Sequence, residues 1–169
     1  ANGSPIGDGP PPLIALGAEL VLRKGATERV IPLEAFFLDY GKQDRAPGEY
    51  VSAVRIPRPA PPEALKIFKI SKRFDQDITA TLGAFLIGVE SGTVASASIV
   101  FGGMAGIPKR AAAVEAALLG RPWTLDTVEA ALPAFADDFQ PMSDMRASAE
   151  YRLRAARNLL LKVFHESAE

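Results

Sequence analysis

Residues 57–62 read PRPAPP. Four prolines in six residues fit neither a helix interior nor a central strand, because each lacks an amide donor and fixes φ. The chain therefore has to fold as two segments, with a subdomain boundary at the proline run: residues 1–58 before it and 65–169 after it.

Before the break, ANGSPIGDGPPP opens the chain as a tight loop rich in glycine and proline, with Asn2, Ser4 and Asp8 as its hydrogen-bonding side chains. Two readings stand side by side. Asp8 is the N-cap of a short helix that begins in Pro10–Pro12, or it is a ligand-loop acceptor for a hydroxyl. Leu13–Leu16 gives one or two helical turns closed by Gly17. Glu19–Arg23 and Thr27–Ile31 are strands joined across Lys24-Gly25-Ala26. Pro32 starts a short helix whose Phe36 and Phe37 point inward, Asp39–Gly48 is a polar loop, and Tyr50–Ile56 alternates as a strand.

After the break the pattern changes. Leu65–Ser71, Thr79–Glu90 and Thr93–Phe101 read as three antiparallel strands in meander order, the last two joined by Ser91-Gly92. On the third strand Ala95, Ala97, Ile99 and Phe101 face inward. Helices follow over Pro108–Leu119, from Thr124 to a stop or kink at Pro133, and from about Arg146 to Phe164. In the last, Arg146–Glu150 and Glu150–Arg154 form i,i+4 pairs. The fold class is α+β, a partial subdomain followed by a three-stranded antiparallel sheet packed on a three-helix bundle. Residues 65–169 are expected to fold autonomously.

Charge and composition narrow the functions. A net charge of -1 gives no basic excess for nucleic acid. No apolar run reaches the ~18–20 residues of a membrane span, so no membrane is expected. The absence of cysteine rules out disulfides, thiolate metal sites and iron–sulfur ligation in this chain. The single histidine, His165, sits near the end of the last helix and takes no catalytic role; no metal site is expected. The chain has no internal repeat and no GxGxxG, and Gly102-Gly103 reads as a turn rather than a phosphate loop.

One stretch concentrates charge. FKISKRFDQDI, residues 68–78, sets Lys69, Lys72 and Arg73 against Asp75 and Asp77 at the mouth of an apolar strand. It reads either as a solvated loop of exposed pairs or as a rim over an anionic or redox ligand.

Taken in order, NGSPIGD at residues 2–8, FF-x-x-Y-x-K at Phe36–Lys42, the proline break, FK-x-x-x-R-x-x-x-D-I at Phe68–Ile78, FGGMA at Phe101–Ala105 and SDMRASAEYR at Ser143–Arg152 resemble the flavoprotein part of xanthine dehydrogenase, in the molybdenum hydroxylase family. The SPIGD form resembles the xanthine dehydrogenase branch, where carbon monoxide dehydrogenase flavoproteins carry a DPAAD-like loop. The resemblance implies the second half of an FAD-binding domain followed by the family's C-terminal domain. It implies Asp8 as a contact to the ribityl or phosphate side of FAD with Ser4 in the same loop, Val51 packed on the cofactor with Tyr50 beside it, and Lys69 at the flavin. It also implies Arg73 and Asp77 in the loop beside the ring, bordering the nicotinamide entrance. Lys42 matches a basic position without a role. Phe74 and Gln76 stand where mammalian relatives carry charge.

The implied activity is electron transfer from iron–sulfur clusters through FAD to NAD, in an enzyme of purine catabolism. No catalytic acid or base is assigned to this chain. The [2Fe–2S] clusters and molybdenum cofactor lie outside it, on a molybdenum-binding subunit and iron–sulfur domains, in a cytoplasmic homo- or hetero-oligomer. The family's pyrophosphate-binding segments precede this stretch, which reads as a piece of a longer protein and on its own binds FAD weakly. Two alternatives remain, a carbon monoxide dehydrogenase-type flavoprotein and a non-catalytic α+β assembly module.

Overall fold

The computed structural model describes residues 4, 6–61, 63–75 and 77–167. The readings of Asn2, Gly3, Pro5, Pro62 and Gln76 lie outside the described residues. The protein is a mixed helix and antiparallel-sheet fold.

The first segment begins with α1 (Pro10–Ala15), which carries proline at its first turn, where a missing amide costs nothing. Its N-cap is Gly9 and no side chain caps it, so Asp8 is not the helix cap. Gly17 follows at φ +70°, the left-handed stop expected there. β1 (Glu19–Lys24) and β2 (Thr27–Pro32) pair through Lys24↔Thr27, and β5 (Tyr50–Arg55) pairs on the other edge of β1. Between them lie α2 (Leu33–Phe36) and two short strands, β3 (Phe37–Asp39) and β4 (Lys42–Gln43). The polar loop therefore contains a small ladder. Phe36 and Phe37 are buried and meet edge to face. Arg29 ties this end together, bonding both Asp44 and Glu49.

The second segment is a sheet of four strands, in the order β6 (Glu63–Ile70), β7 (Thr81–Glu90), β8 (Thr93–Gly102), β9 (Lys109–Arg110). The meander is as expected. Ser91 (φ +49°) and Gly92 (φ +78°) both adopt the left-handed geometry that a two-residue hairpin needs to match strand twist. β7 starts at Thr81 rather than Thr79, because Ile70 O accepts from Ala80 N and closes the charged loop first. A bulge at Gly88/Val89 shifts the register of β7 against β8. In consequence Val94 is buried and Ala95 exposed, the reverse of strict alternation.

β9 was not expected. Pro108 does not start a helix; Lys109 and Arg110 pair with Phe101 and Val100, and α3 begins at Ala112 (Ala112–Leu118). The free N–H groups of α3 are satisfied from a distance: Ala113 N and Val114 N donate to the buried carboxylate of Asp138. Thr124 caps α4 (Leu125–Ala131) by accepting from Thr127 N. Pro133 sits in a 3-10 turn (Leu132–Ala134) that leads into α5 (Phe135–Asp138). α6 runs Ala149–Ser167. Arg146 lies before that helix and pairs with Asp144, so an i,i+4 pair with Glu150 does not form. His165 is exposed and its ring lies against Phe164.

The sheet is covered on both faces. One face puts Phe85, Ile87, Ile99 and Phe101 against Val114, Leu118, Val128, Phe135, Ala156 and Leu160 of the helices. The other puts Ala84, Leu86 and Val100 against Ile14, Leu20, Leu22, Leu33 and Phe36 of the first segment. The proline run divides the chain, but this second cluster spans it. Among the described residues no helix is long and apolar enough to cross a membrane.

Candidate functional site

The charged loop between β6 and β7 folds back onto the opening loop. Lys69 is the penultimate residue of β6, and its Nζ donates to Asp8 Oδ2 at 2.8 Å. Thr79, buried at the far end of the same loop, donates its hydroxyl to Asp8 Oδ1. Asp8 is thus held by a cation and a hydroxyl that sit on opposite sides of one loop. Both contacts are long-range in sequence, which is why Asp8 reads as a cap when only its neighbours are seen.

Arg73 and Asp77 form a second unit. Asp77 accepts from Arg73 N at 2.8 Å and from Ile78 N at 2.9 Å, and the Arg73 guanidinium lies 3.3 Å from Oδ1. The Arg73 N–H is the leading influence that holds the Asp77 carboxyl below its ordinary value; burial opposes it, and the Ile78 N–H and the guanidinium add to it. These bonds shape the loop tip, where Phe74 is fully exposed.

Ser4 shapes the opening loop: its Oγ accepts from Ile6 N at 3.4 Å, and its carbonyl from Gly7 N. Tyr50 and Val51 lie on β5, in the other sheet. Val51 is partly buried against the cluster that joins the two segments, and Tyr50 is 54% exposed. The structure therefore joins Asp8 with Lys69 and Arg73 with Asp77, and sets Tyr50 and Val51 on β5 of the other sheet.

Two features were not found by sequence. One is Thr79, whose partner is 71 residues away. The other is Arg152 on α6, only 2% exposed. Its Nη1 donates to the carbonyls of Ala80 and Gly103, the latter at 2.9 Å, and its Nη2 donates to Asp144 at 2.7 Å. Burial pulls the Asp144 carboxyl upward, but the N–H groups of Arg146 and Ala147 and the Arg152 guanidinium outweigh it and hold the carboxyl below its ordinary value. Lys72 Nζ donates to Met145 O, a second tie from the charged loop to the same stretch. A groove of about 330 Å³ runs past these groups, lined by Ser4, Tyr40, Gly103, Met142, Arg146 and Arg152.

The donor set suits a flavin dinucleotide. Each carboxylate oxygen of Asp8 accepts one bond from the chain and has a second acceptor site for a sugar-like hydroxyl, and the Lys69 ammonium has donors beyond the one given to Asp8. A fixed acceptor can bond the hydroxyls of a polyol chain, and a cation beside it can offset charge on an electron-accepting ring.

Residues 66–167 match the CO dehydrogenase flavoprotein C-terminal domain, and residues 1–59 match the FAD binding domain in molybdopterin dehydrogenase. Xanthine dehydrogenase of Emericella nidulans is 34% identical over 98% of this chain, which spans 12% of that protein. The xanthine dehydrogenase FAD-binding subunit of Escherichia coli O157:H7 is 28% identical over 98% of this chain, which spans 57% of that subunit. The carbon monoxide dehydrogenase structure from Hydrogenophaga pseudoflava superposes with a TM-score of 0.88 at 29% identity, covering 94% of this chain and 55% of that one. The chain therefore belongs to the flavoprotein family of the molybdenum hydroxylases, joining their FAD-binding domain to the CO dehydrogenase flavoprotein C-terminal domain.

Proposed function

We propose that residues 1–169 form the FAD-carrying electron-transfer portion of a xanthine dehydrogenase-like molybdenum hydroxylase, with residues 1–58 closing the FAD-binding domain and residues 65–169 forming the C-terminal domain with its helical cover. The observation that carries this reading is the meeting of Asp8, Lys69 and Thr79 within a chain whose two segments match the two flavoprotein domains. That match favours flavin over a non-catalytic assembly module.

When bound, FAD accepts and releases the electrons. The chain's own residues then have defined tasks. Asp8 accepts from the ribityl hydroxyls. The Lys69 ammonium stabilises negative charge that develops beside it. Ser4 holds the opening loop in shape, Val51 with Tyr50 supplies an apolar wall, and Arg73 with Asp77 keeps the loop tip folded at the entrance for NAD. Electrons arrive from iron–sulfur clusters and a molybdenum cofactor on partner domains, in a cytoplasmic oligomer acting in purine catabolism.

A second reading has its own support: the carbon monoxide dehydrogenase structures superpose at TM-scores of 0.86 and 0.88. The SPIGD loop and the xanthine dehydrogenase relatives favour the first. One experiment separates them. The flavoprotein bearing this chain is purified with its partner subunits, its flavin absorbance is recorded, and xanthine or carbon monoxide is added anaerobically, followed by NAD⁺. Bleaching by xanthine and recovery with NAD⁺ supports the proposal; bleaching by carbon monoxide alone supports the second reading; a preparation without flavin overturns both.

A further inference from the structure

We propose that Arg152, braced by Asp144, is a positioning residue for the cofactor loop. This inference rests on the FAD reading above. Arg152 stands on α6, far in sequence from the Asp8–Lys69–Thr79 cluster, yet it bonds the Ala80 end of the loop that presents the cluster. Its Nη1 bridges the carbonyl of Ala80, just before β7, and the carbonyl of Gly103, just beyond β8. Ala80 in turn donates its N–H to Ile70 O, closing the base of the loop. Lys69 stands just outside that closure and Thr79 just inside it, and both bond Asp8. A displacement of the Ala80 carbonyl therefore moves the Thr79 hydroxyl directly and the Asp8 carboxylate through it.

The bracing is built for a fixed position. A planar guanidinium fork bonds two carbonyls and one carboxylate in one geometry, which a lysine ammonium does not reproduce. Asp144 fixes the guanidinium, and Asp144 is itself held by Arg146 N at 2.8 Å and Ala147 N at 3.1 Å. Gly103 has φ +80°, and a Cβ there would lie 2.5 Å from Ala80 O and 3.1 Å from Arg152 Nη1, so the three groups pack without slack. The bond from Lys72 Nζ to Met145 O adds an exposed tie between the loop and the same stretch. The Ser143–Arg152 stretch thus acts on the cofactor loop through Ala80 and Lys72.

The test uses the FAD-loaded flavoprotein that carries this chain, with variants Asp144→Asn, Arg152→Lys and Lys72→Met. The readouts are FAD dissociation rate, visible circular dichroism of the bound flavin and melting temperature. Expected are dissociation about tenfold faster in Asp144→Asn and Arg152→Lys, with an altered flavin dichroism, because the asymmetric surroundings of the flavin move. Loss of a buried fork can abolish folding, so Lys72→Met is the arm that keeps the core intact. It should speed dissociation severalfold and change the dichroism while leaving the melting temperature unchanged. Lowered melting temperatures with unchanged flavin dichroism and dissociation in every folded variant overturn the positioning role and leave Arg152 a structural brace. A wild-type protein that holds no FAD overturns the FAD reading instead.

Discussion

Asp8 and Lys69, 61 residues apart, meet at 2.8 Å, and that one pair joins the opening loop of the first segment to the sheet of the second. At 47% and 38% side-chain exposure the pair is partly solvated, so its own contribution to stability is small. Its consequence is positional: it fixes an acceptor and a donor at one edge of the loop.

Replacing Asp8 by Ala in the FAD-loaded flavoprotein removes a charge-assisted acceptor worth about 1.5–3 kcal/mol if it bonds a cofactor hydroxyl. FAD affinity should fall about tenfold or more, measured by flavin release on dilution. If affinity holds and only the melting temperature falls, Asp8 serves to tie the two loops and does not contact the cofactor.

Thr79→Val removes the hydroxyl that orients Asp8 Oδ1, and Thr79→Ser keeps it. The expectation is a severalfold loss of FAD affinity in the valine variant and near-recovery in the serine variant, by equilibrium dialysis. A loss in the serine variant with none in the valine variant would assign the effect to packing of the threonine methyl, since Thr79 is 1% exposed.

The elements whose signals are local were legible in the sequence. The Ser91-Gly92 turn, the Thr124 cap and the order of strands and helices each depend on neighbouring residues. What the sequence concealed depends on distant partners. Lys109 and Arg110 are too few to show a period, and Pro108 before them mimics a helix start; they become a strand because β8 offers an open edge. Asp138, which no local pattern singles out, accepts from the first turn of α3 from 25 residues away. Arg152 sits on the last helix, yet it is buried, with its two Nη groups bonded to two carbonyls and Asp144. Of the site, Asp8 and Lys69 stood out in their loops and took their flavin roles from the resemblance to the flavoprotein family, and Thr79 has no local mark at all.

Stability at low pH should track Glu49. Hydrogen bonds from the Arg29 guanidinium, and then the Ala46 N–H, depress its carboxyl from 4.5 to about 2. A depressed folded-state value means the unfolded chain binds the proton first. The contribution is therefore fully present above about pH 4.5 and disappears as pH falls toward 2. Melting temperature should decline through that window, and Glu49→Gln should flatten the decline. An identical pH profile for the variant would show that other carboxylates govern acid unfolding.

Gly103→Ala places a Cβ 2.5 Å from Ala80 O at φ +80°. Backbone strain alone costs ~1–3 kcal/mol, before the clash is counted. Melting should drop by several degrees, roughly 2–4 °C per kcal/mol for a chain of this size. A melting temperature within error of the wild type would mean that the Gly103–Ala80 approach relaxes freely, and with it the fork that Arg152 makes there.

The shared cluster makes a stronger claim about folding than the proline run does. Leu86 lies on the face of β7 turned toward the first segment, in one cluster with Leu20, Leu22 and Phe36. If residues 65–169 were autonomous, as the sequence suggests, that face with Ala84, Leu86 and Val100 would be left open to water in the isolated piece. Leu86→Ala should instead cost about 2–5 kcal/mol and loosen both segments together. Hydrogen exchange resolves the two cases by site. Coupled folding lowers protection at Leu20 and Leu22 in β1 as much as at Ala84 and Phe85 in β7. Leu160→Ala, on the helix side of the sheet, serves as the reference, since its cluster contains no residue of the first segment. Protection lost in β7 but retained in β1 would show that the first segment holds together without the sheet beneath it.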